Sequence, residues 1–209
     1  CANSAKYIIL AVKPQVYDAV IRNLMYVVTE EHVIISLSPS HSIDALKAKF
    51  EKPVRVVRAM PNTPALIGEA MTGVAYDAME FSFEEKEVLD NFFKSFGTYR
   101  LVDEKLMNAV TCASGSSPAY VFMFIEAMAD ACVKHGMPRR SAYEFVAQTV
   151  VGAGRMVLET NEHPGMLKDK VCSPGGTTIA GVAALEEHGF RNSVIKAVDA
   201  CFDKCNGIK

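Results

Sequence analysis

The sequence predicts an α/β region built on a mostly parallel sheet, followed by an all-α region. Three observations carry this. A continuous apolar run rich in β-branched residues at Tyr7–Val12 reads as a strand covered on both faces, Val33–Leu37 as another short buried strand and Val54–Ala59 as a third. Between them apolar residues recur at helical spacing, which gives β-α-β units whose crossovers are right-handed in nearly all known cases. Beyond about Asp103, helical periodicity dominates to the C-terminus.

In chain order, Lys13-Pro14 ends the first strand and Val16, Val20, Leu24 and Val27 mark a helix. After Val33–Leu37, Ser42 is the N-cap of a helix over Ile43–Phe50. The third strand runs into the turn Pro61-Asn62-Thr63-Pro64. A strand near Met71–Tyr76, a helix over Glu84–Phe96 and a strand over Thr98–Val102 follow. In the helical region Ser117-Pro118 has the chemistry of a helix start, with Gly136 as the stop. A longer helix covers Arg139–Glu159, and His163-Pro164 opens a short one. Pro174-Gly175-Gly176 break the chain before helices at Thr177–Glu187 and Arg191–Lys204. The expected domains are therefore 1–103 and 104–209.

Composition narrows the function. The chain has 209 residues, 50% of them hydrophobic and 22% charged, which excludes disorder. Lys+Arg 22 against Asp+Glu 24 leaves no positive excess, so binding to nucleic acid or an anionic membrane through net charge is not expected. A small-molecule or protein partner is favoured. Glu126 and Asp130 interrupt the most apolar region, Ala119–Val133, so no stretch reaches the ~18 apolar residues of a membrane span. The run Tyr7–Val12 is too short for an export signal, and without an initiating Met, Cys1 is not expected to be the natural start. The six cysteines lack the spacing of a disulfide framework, which fits a reducing, cytoplasmic setting. Cys201 and Cys205 stand one helical turn apart. No nearby His or Cys pair completes four ligands, so no metal is expected and the ordinary reading is buried helix cysteines.

The glycine-rich turn with which such sheets usually bind a dinucleotide is absent, since the first glycine is Gly68. Gly152-Ala153-Gly154 lies inside a helical pattern and reads as helix packing. The strongest local signal is Val171-Cys172-Ser173-Pro174-Gly175-Gly176-Thr177-Thr178-Ile179. Its glycines allow close backbone approach, and its threonines stand at a helix start whose amides point outward, an anion site. An ordinary Gly-Gly turn with a threonine cap fits the spacing equally well. Ala113-Ser114-Gly115-Ser116-Ser117-Pro118-Ala119-Tyr120 reads by spacing as a capped loop.

Pro164-x-x-Leu167-x-x-x-Val171-Cys172-Ser173-Pro174-Gly175-Gly176-x-Thr178-x-x-Gly181-Val182-x-x-Leu185-Glu186 resembles the signature segment of the pyrroline-5-carboxylate reductase family. Ala11-Val12-Lys13-Pro14, Arg58-Ala59-Met60-Pro61-Asn62-Thr63-Pro64 and Ser114-Gly115-Ser116-Ser117-Pro118-Ala119-Tyr120 resemble it too, in the same order. The resemblance implies a partial Rossmann-like domain followed by an all-α dimerisation domain, with dimers that often assemble into decamers. It implies reduction of 1-pyrroline-5-carboxylate to L-proline with NADPH or NADH, at a site where the nicotinamide meets helices of the dimer. Carried over, Ala11, Val12, Lys13 and Pro14 form the loop along the cofactor. Gly176, Thr177 and Thr178 hold the substrate, backbone amides on its carboxylate and the Thr178 hydroxyl near the imine nitrogen, which makes Thr178 the catalytic residue. Hydride transfer asks the protein for positioning rather than a nucleophile, and none of the five histidines is expected to be catalytic. Against the family pattern, the glycine-rich turn and second strand are missing, which implies loss of the N-terminal part of the cofactor domain and leaves the NADPH or NADH preference unread. Ser38-Pro39-Ser40 stands where the family has small residues beside the cofactor. The rival readings are a non-catalytic oligomerisation fragment and a β-hydroxyacid-type dehydrogenase using Lys168 or Lys170.

Overall fold

The structure, a computed structural model, describes residues Ala2–Ile208, so Cys1 lies outside it. The described residues fall into two compact units. One comprises the chain up to Pro118 together with Ala200–Ile208, and the other is Ala119–Asp199.

The first unit is built on a sheet in the order β1 (Tyr7–Leu10), β2 (Val33–Ser36), β3 (Arg55–Met60), β4 (Ala70–Ala75), β5 (Gly97–Leu101). β1–β2, β2–β3 and β4–β5 pair in parallel, and β3–β4 pair antiparallel. The reversal has a simple cause. Only residues 61–69, with a 3₁₀ turn at Thr63–Ile67, join β3 to β4, too few for the crossover of a dozen or more residues that parallel pairing requires.

Side chains alternate across β2. Ile34 joins Leu10, Tyr17, Ile21, Leu46, Phe50 and Val56 under helices α1 (Tyr17–Leu24) and α2 (Ile43–Phe50). Val33 and Ile35 join Val57, Val74, Phe81, Leu89 and Phe93 under α3 (Phe83–Lys94). Ser42 caps α2 as expected, its Oγ accepting from the Ala45 amide at 3.2 Å. In α1 the buried line is Tyr17 and Ile21, continued by Val28, while Val16 is exposed and Val20, Leu24 and Val27 flank the core. Pro14–Val16 form a 3₁₀ turn, whose tighter period turns the following helix away from the register a continuous α-helix would have had.

The expected helix start at Ser117-Pro118 is not a start. Helical backbone runs from α4 (Met107–Val110) through a π-helical turn, Thr111–Ser116, into α5 (Ser117–Lys134). Pro118 has no N–H for the Ser114 carbonyl, and the wider turn accommodates that loss. Ser117 Oγ instead donates to the Cys112 carbonyl at 2.5 Å.

The second unit contains most of α5, then α6 (Arg139–Thr160), α7 (Pro164–Val171), α8 (Thr177–Glu187) and α9 (Phe190–Cys205), whose last residues belong to the first unit. Gly136, at φ +96°, ends the turn after α5. The fully buried residues of this unit are Ala129, Ala142 and Val146, and α7, α8 and α9 bury none. No helix among the described residues is long and apolar enough to cross a membrane.

Candidate active site

In the first unit the parallel strands β1, β2 and β3 end at one edge of the sheet, where open α/β sheets bind ligands. The loop after β1, Ala11–Pro14, is exposed at Ala11, Val12 and Lys13. Behind it Tyr17 is fully buried and donates to the Leu10 carbonyl at 2.8 Å, with its hydroxyl 3.2 Å from Ser36 Oγ. Burial pushes the Tyr17 phenol up from its ordinary value, keeping it protonated as a donor.

After β2, Ser38 is buried, and its Oγ lies 2.8 Å from His41 Nδ1 and 3.2 Å from Ser40 Oγ. The His41 ring stacks on Tyr17 at 4.7 Å, and burial, aided by the Lys49 charge, lowers its pKa. A neutral ring therefore braces this loop. The Pro39 carbonyl accepts from Arg58 Nη2 at 2.6 Å, and Arg58 Nη1 reaches Glu104 Oε1 at 3.2 Å. The same Glu104 oxygen accepts from the Ile43 amide at 2.7 Å, at the N-terminus of α2, where the helix dipole favours a carboxylate.

After β3, Asn62 spans two of the motif segments. Its Nδ2 donates to the Ser114 carbonyl at 3.1 Å, the acceptor left open by Pro118, and its Oδ1 accepts from the Met71 amide at 3.1 Å. Three loops of one sheet edge are thus fixed by side-chain hydrogen bonds that the periodicity of the sequence did not reveal. Arg58, one of two charges in the strand run VRVVRA, was a visible signal.

The residues fit one part of a dinucleotide and not another. The edge after β1–β3 is formed and open at Ala11–Lys13, as the nicotinamide portion of a cofactor needs. The connection from β1 to α1 holds no glycine and passes through Lys13 and a Pro14–Val16 turn, so it supplies no phosphate cradle at a helix N-terminus.

In the second unit, Gly175 takes φ +67°, a left-handed value that glycine adopts without strain, and Gly176 follows in extended conformation as the N-cap of α8. A Cβ at Gly176 would lie 3.1 Å from the Ser173 carbonyl oxygen, so the turn is tight as well as left-handed. The first α8 hydrogen bond runs from Ala180 N–H to the Gly176 carbonyl at 3.4 Å, and no side chain caps the helix. The amides of Thr177, Thr178 and Ile179 precede that bond, and both threonines are exposed. Of the two readings left open by spacing, a threonine-capped turn fails, because the capping position is a glycine. What the structure shows is a helix whose N-terminal amides have no side-chain cap.

His163 also has a local role: its Nδ1 accepts from the Gly165 amide at 3.0 Å and caps α7. Lys170 pairs with Glu162 at 2.7 Å, and Lys168 pairs with its neighbour Asp169.

Residues 104–208 match the pyrroline-5-carboxylate reductase dimerisation family. The pyrroline-5-carboxylate reductase of Escherichia coli K12 is 47% identical over 203 residues, covering 97% of this chain and 75% of that protein. The chain belongs to the pyrroline-5-carboxylate reductase family. The Synechocystis enzyme of the same name is 44% identical over 201 residues, covering 96% of this chain and 74% of the relative. Among solved structures, the Plasmodium falciparum pyrroline carboxylate reductase with NADP bound matches at a TM-score of 0.91 and 32% identity, over 99% of this chain and 78% of that one. The chain thus spans about three quarters of the length of these reductases. The similarity extends through both units, so the reductase reading prevails over that of a β-hydroxyacid-type dehydrogenase using Lys168 or Lys170.

Proposed function

We propose that this chain reduces 1-pyrroline-5-carboxylate to L-proline with NAD(P)H, as an oxidoreductase acting on a C=N bond. The observation that carries the reading is the 47% identity to the E. coli reductase across nearly the whole chain. The relative solved with NADP bound supports a nicotinamide dinucleotide as cofactor. In this reading residues 1–103 are the remainder of the cofactor domain, and 104–209 form the helical dimerisation and substrate-binding domain.

Bound NAD(P)H supplies the hydride. Ala11, Val12, Lys13 and Pro14 line its path at the open end of β1. The uncapped amides of Thr177 and Thr178 hold the substrate carboxylate beside Gly176, whose own N–H is taken by the Ser173 carbonyl at 3.0 Å, an arrangement in which hydrogen bonds to a charge contribute about 1.5–3 kcal/mol. The Thr178 hydroxyl orients the imine nitrogen. The imine enters protonated and leaves as the secondary amine of proline, so the chain needs no further acid and positioning is its main task.

The partner is a second copy of the chain. The apolar surface left uncovered on α5, α6, α8 and α9 supports a homodimer, and further assembly of dimers into decamers belongs to the same reading. None of Cys112, Cys132, Cys172, Cys201 and Cys205 forms a disulfide, which supports a cytoplasmic location.

The test follows nicotinamide absorbance on addition of pyrroline-5-carboxylate, for the chain and for Thr178→Ala. Loss of one hydrogen bond to the reacting ring should lower kcat/KM by about 10–100-fold. Unchanged activity in the variant would remove Thr178 from the site. Absence of turnover in the unaltered chain, with its oligomer intact, would favour a non-catalytic oligomerisation fragment.

A further inference from the structure

The fold brings a third cysteine to the pair on the last helix. Cys201 and Cys205 stand one turn apart on α9 and therefore share a face. Cys112 lies in the π-helical turn Thr111–Ser116, and its sulfur and theirs lie within 4.8 Å of one another. All three belong to the first compact unit. We propose that Cys112, Cys201 and Cys205 form a site for one soft d10 cation, Cu(I), bound by three sulfur ligands.

Geometry sets the coordination number. Three sulfurs around one ion at a metal–sulfur distance of about 2.3 Å stand about 4 Å apart, so these side chains need move by less than about 1 Å to close on it. Among the described residues no histidine or carboxylate joins the group. Ser116 Oγ, 3.3 Å from Cys201 Sγ, is the hydroxyl beside it. Zinc requires a fourth ligand, a protein group in structural sites and a water or substrate in catalytic ones, and calcium and magnesium take oxygen, so three thiols alone complete the shell of none of them. Thiolate sulfur suits soft ions such as Cu(I), and the ligand count of three separates it from four-coordinate zinc. Cys112 is buried, while Cys201 and Cys205 are half-buried.

Binding is substitution at sulfur. Each S–H that becomes an S–Cu bond releases its proton to solvent, and the ion enters and stays as Cu(I), so no electron moves. Occupation would join the last turn of α9 to the π-helical turn whose Ser114 carbonyl holds Asn62. π-Helical turns inside α-helices are found frequently at functional sites. The sulfur cluster gives this one a chemistry that the reductase reading does not use.

The test offers Cu(I) to the reduced chain without oxygen, in competition with bicinchoninate, and takes the copper X-ray absorption spectrum of the product. We expect one Cu(I) per chain with a shell of three sulfurs. Cys201→Ala and Cys205→Ser should each weaken binding by more than the ~10–100-fold that loss of an outer-shell partner costs. Cys132→Ala and Cys172→Ala should leave binding unchanged. Because Cys112 is buried, Cys112→Ala is scored only alongside a thermal melt, and the two α9 variants carry the test if it unfolds. Retention of all copper by the chelator, nitrogen or oxygen in the first shell, or equal loss in the Cys132 and Cys172 variants would overturn the proposal. So would uptake of Zn(II) in place of Cu(I).

Discussion

The sheet of the α/β unit is covered on both faces, with Phe50, Leu46 and Ile21 filling one side and Phe93, Leu89 and Val57 the other. The helical unit has a comparable supply of large apolar residues and leaves them uncovered. Phe122, Met123, Phe145 and Leu158 are all more than half exposed, and α7, α8 and α9 bury no residue. Apolar surface of that extent marks an interface rather than a solvated face. The α/β unit thus finds its core within the chain, while the helical unit leaves an apolar face that the proposed second copy would cover.

The largest effect should come from attacking that uncovered face. Phe145 is 67% exposed, and Phe145→Asp should weaken self-association by about 30-fold or more, the cost of losing an aromatic anchor of about 2 kcal/mol. Sedimentation velocity reads this directly. A variant that stays fully associated at low concentration would place Phe145 outside the interface and blunt the contrast between the units.

Phe50→Ala attacks the other side of the comparison. Phe50 is fully buried between α2 and the sheet, and truncation should cost about 3–5 kcal/mol in urea unfolding while the oligomer persists. Dissociation in step with the α/β unit would mean that the two units do not stand independently.

A smaller, pH-dependent effect sits at Glu85. Its side chain is buried, which alone would raise its pKa, but Lys6, the Ser82 amide and Arg55 outweigh burial and hold it down to about 2. The folded carboxyl therefore takes up a proton less readily than the unfolded one. Its contribution to stability is complete above the unfolded value near 4.5 and is lost as pH falls through about 2. Glu85→Gln should cost on the order of 2 kcal/mol at neutral pH. It should also flatten the fall in melting temperature between those two pH values. An equally steep acid fall in the variant would assign that loss to other carboxylates.

Much of this was legible in the chain itself. The strand runs at Tyr7, Val33 and Val54, the Ser42 cap and the helix start after Gly176 depend on propensities and hydrogen bonds within a few residues, which one sequence contains in full. The Gly175-Gly176 break and the helix start at Thr177 were readable for the same reason, and the structure adds that no side chain caps that helix. The neighbouring errors were local too. Pro14 and Pro118 were read as simple punctuation, whereas one opens a 3₁₀ turn that re-aims Tyr17 and the other is absorbed in a π-helical turn.

The sequence by itself determined where strands and helices lie, which residues can cap them and to which family the motifs belong. Only the tertiary structure decided that β4 runs against β3, that Asn62 reaches Ser114, that Arg58 and Glu104 lock the loops after β2, and that Cys112 arrives beside Cys201 and Cys205. The division is physical: periodicity and capping act over one or two turns of backbone, while these contacts join residues far apart along the chain and exist only once the sheet and helices have packed.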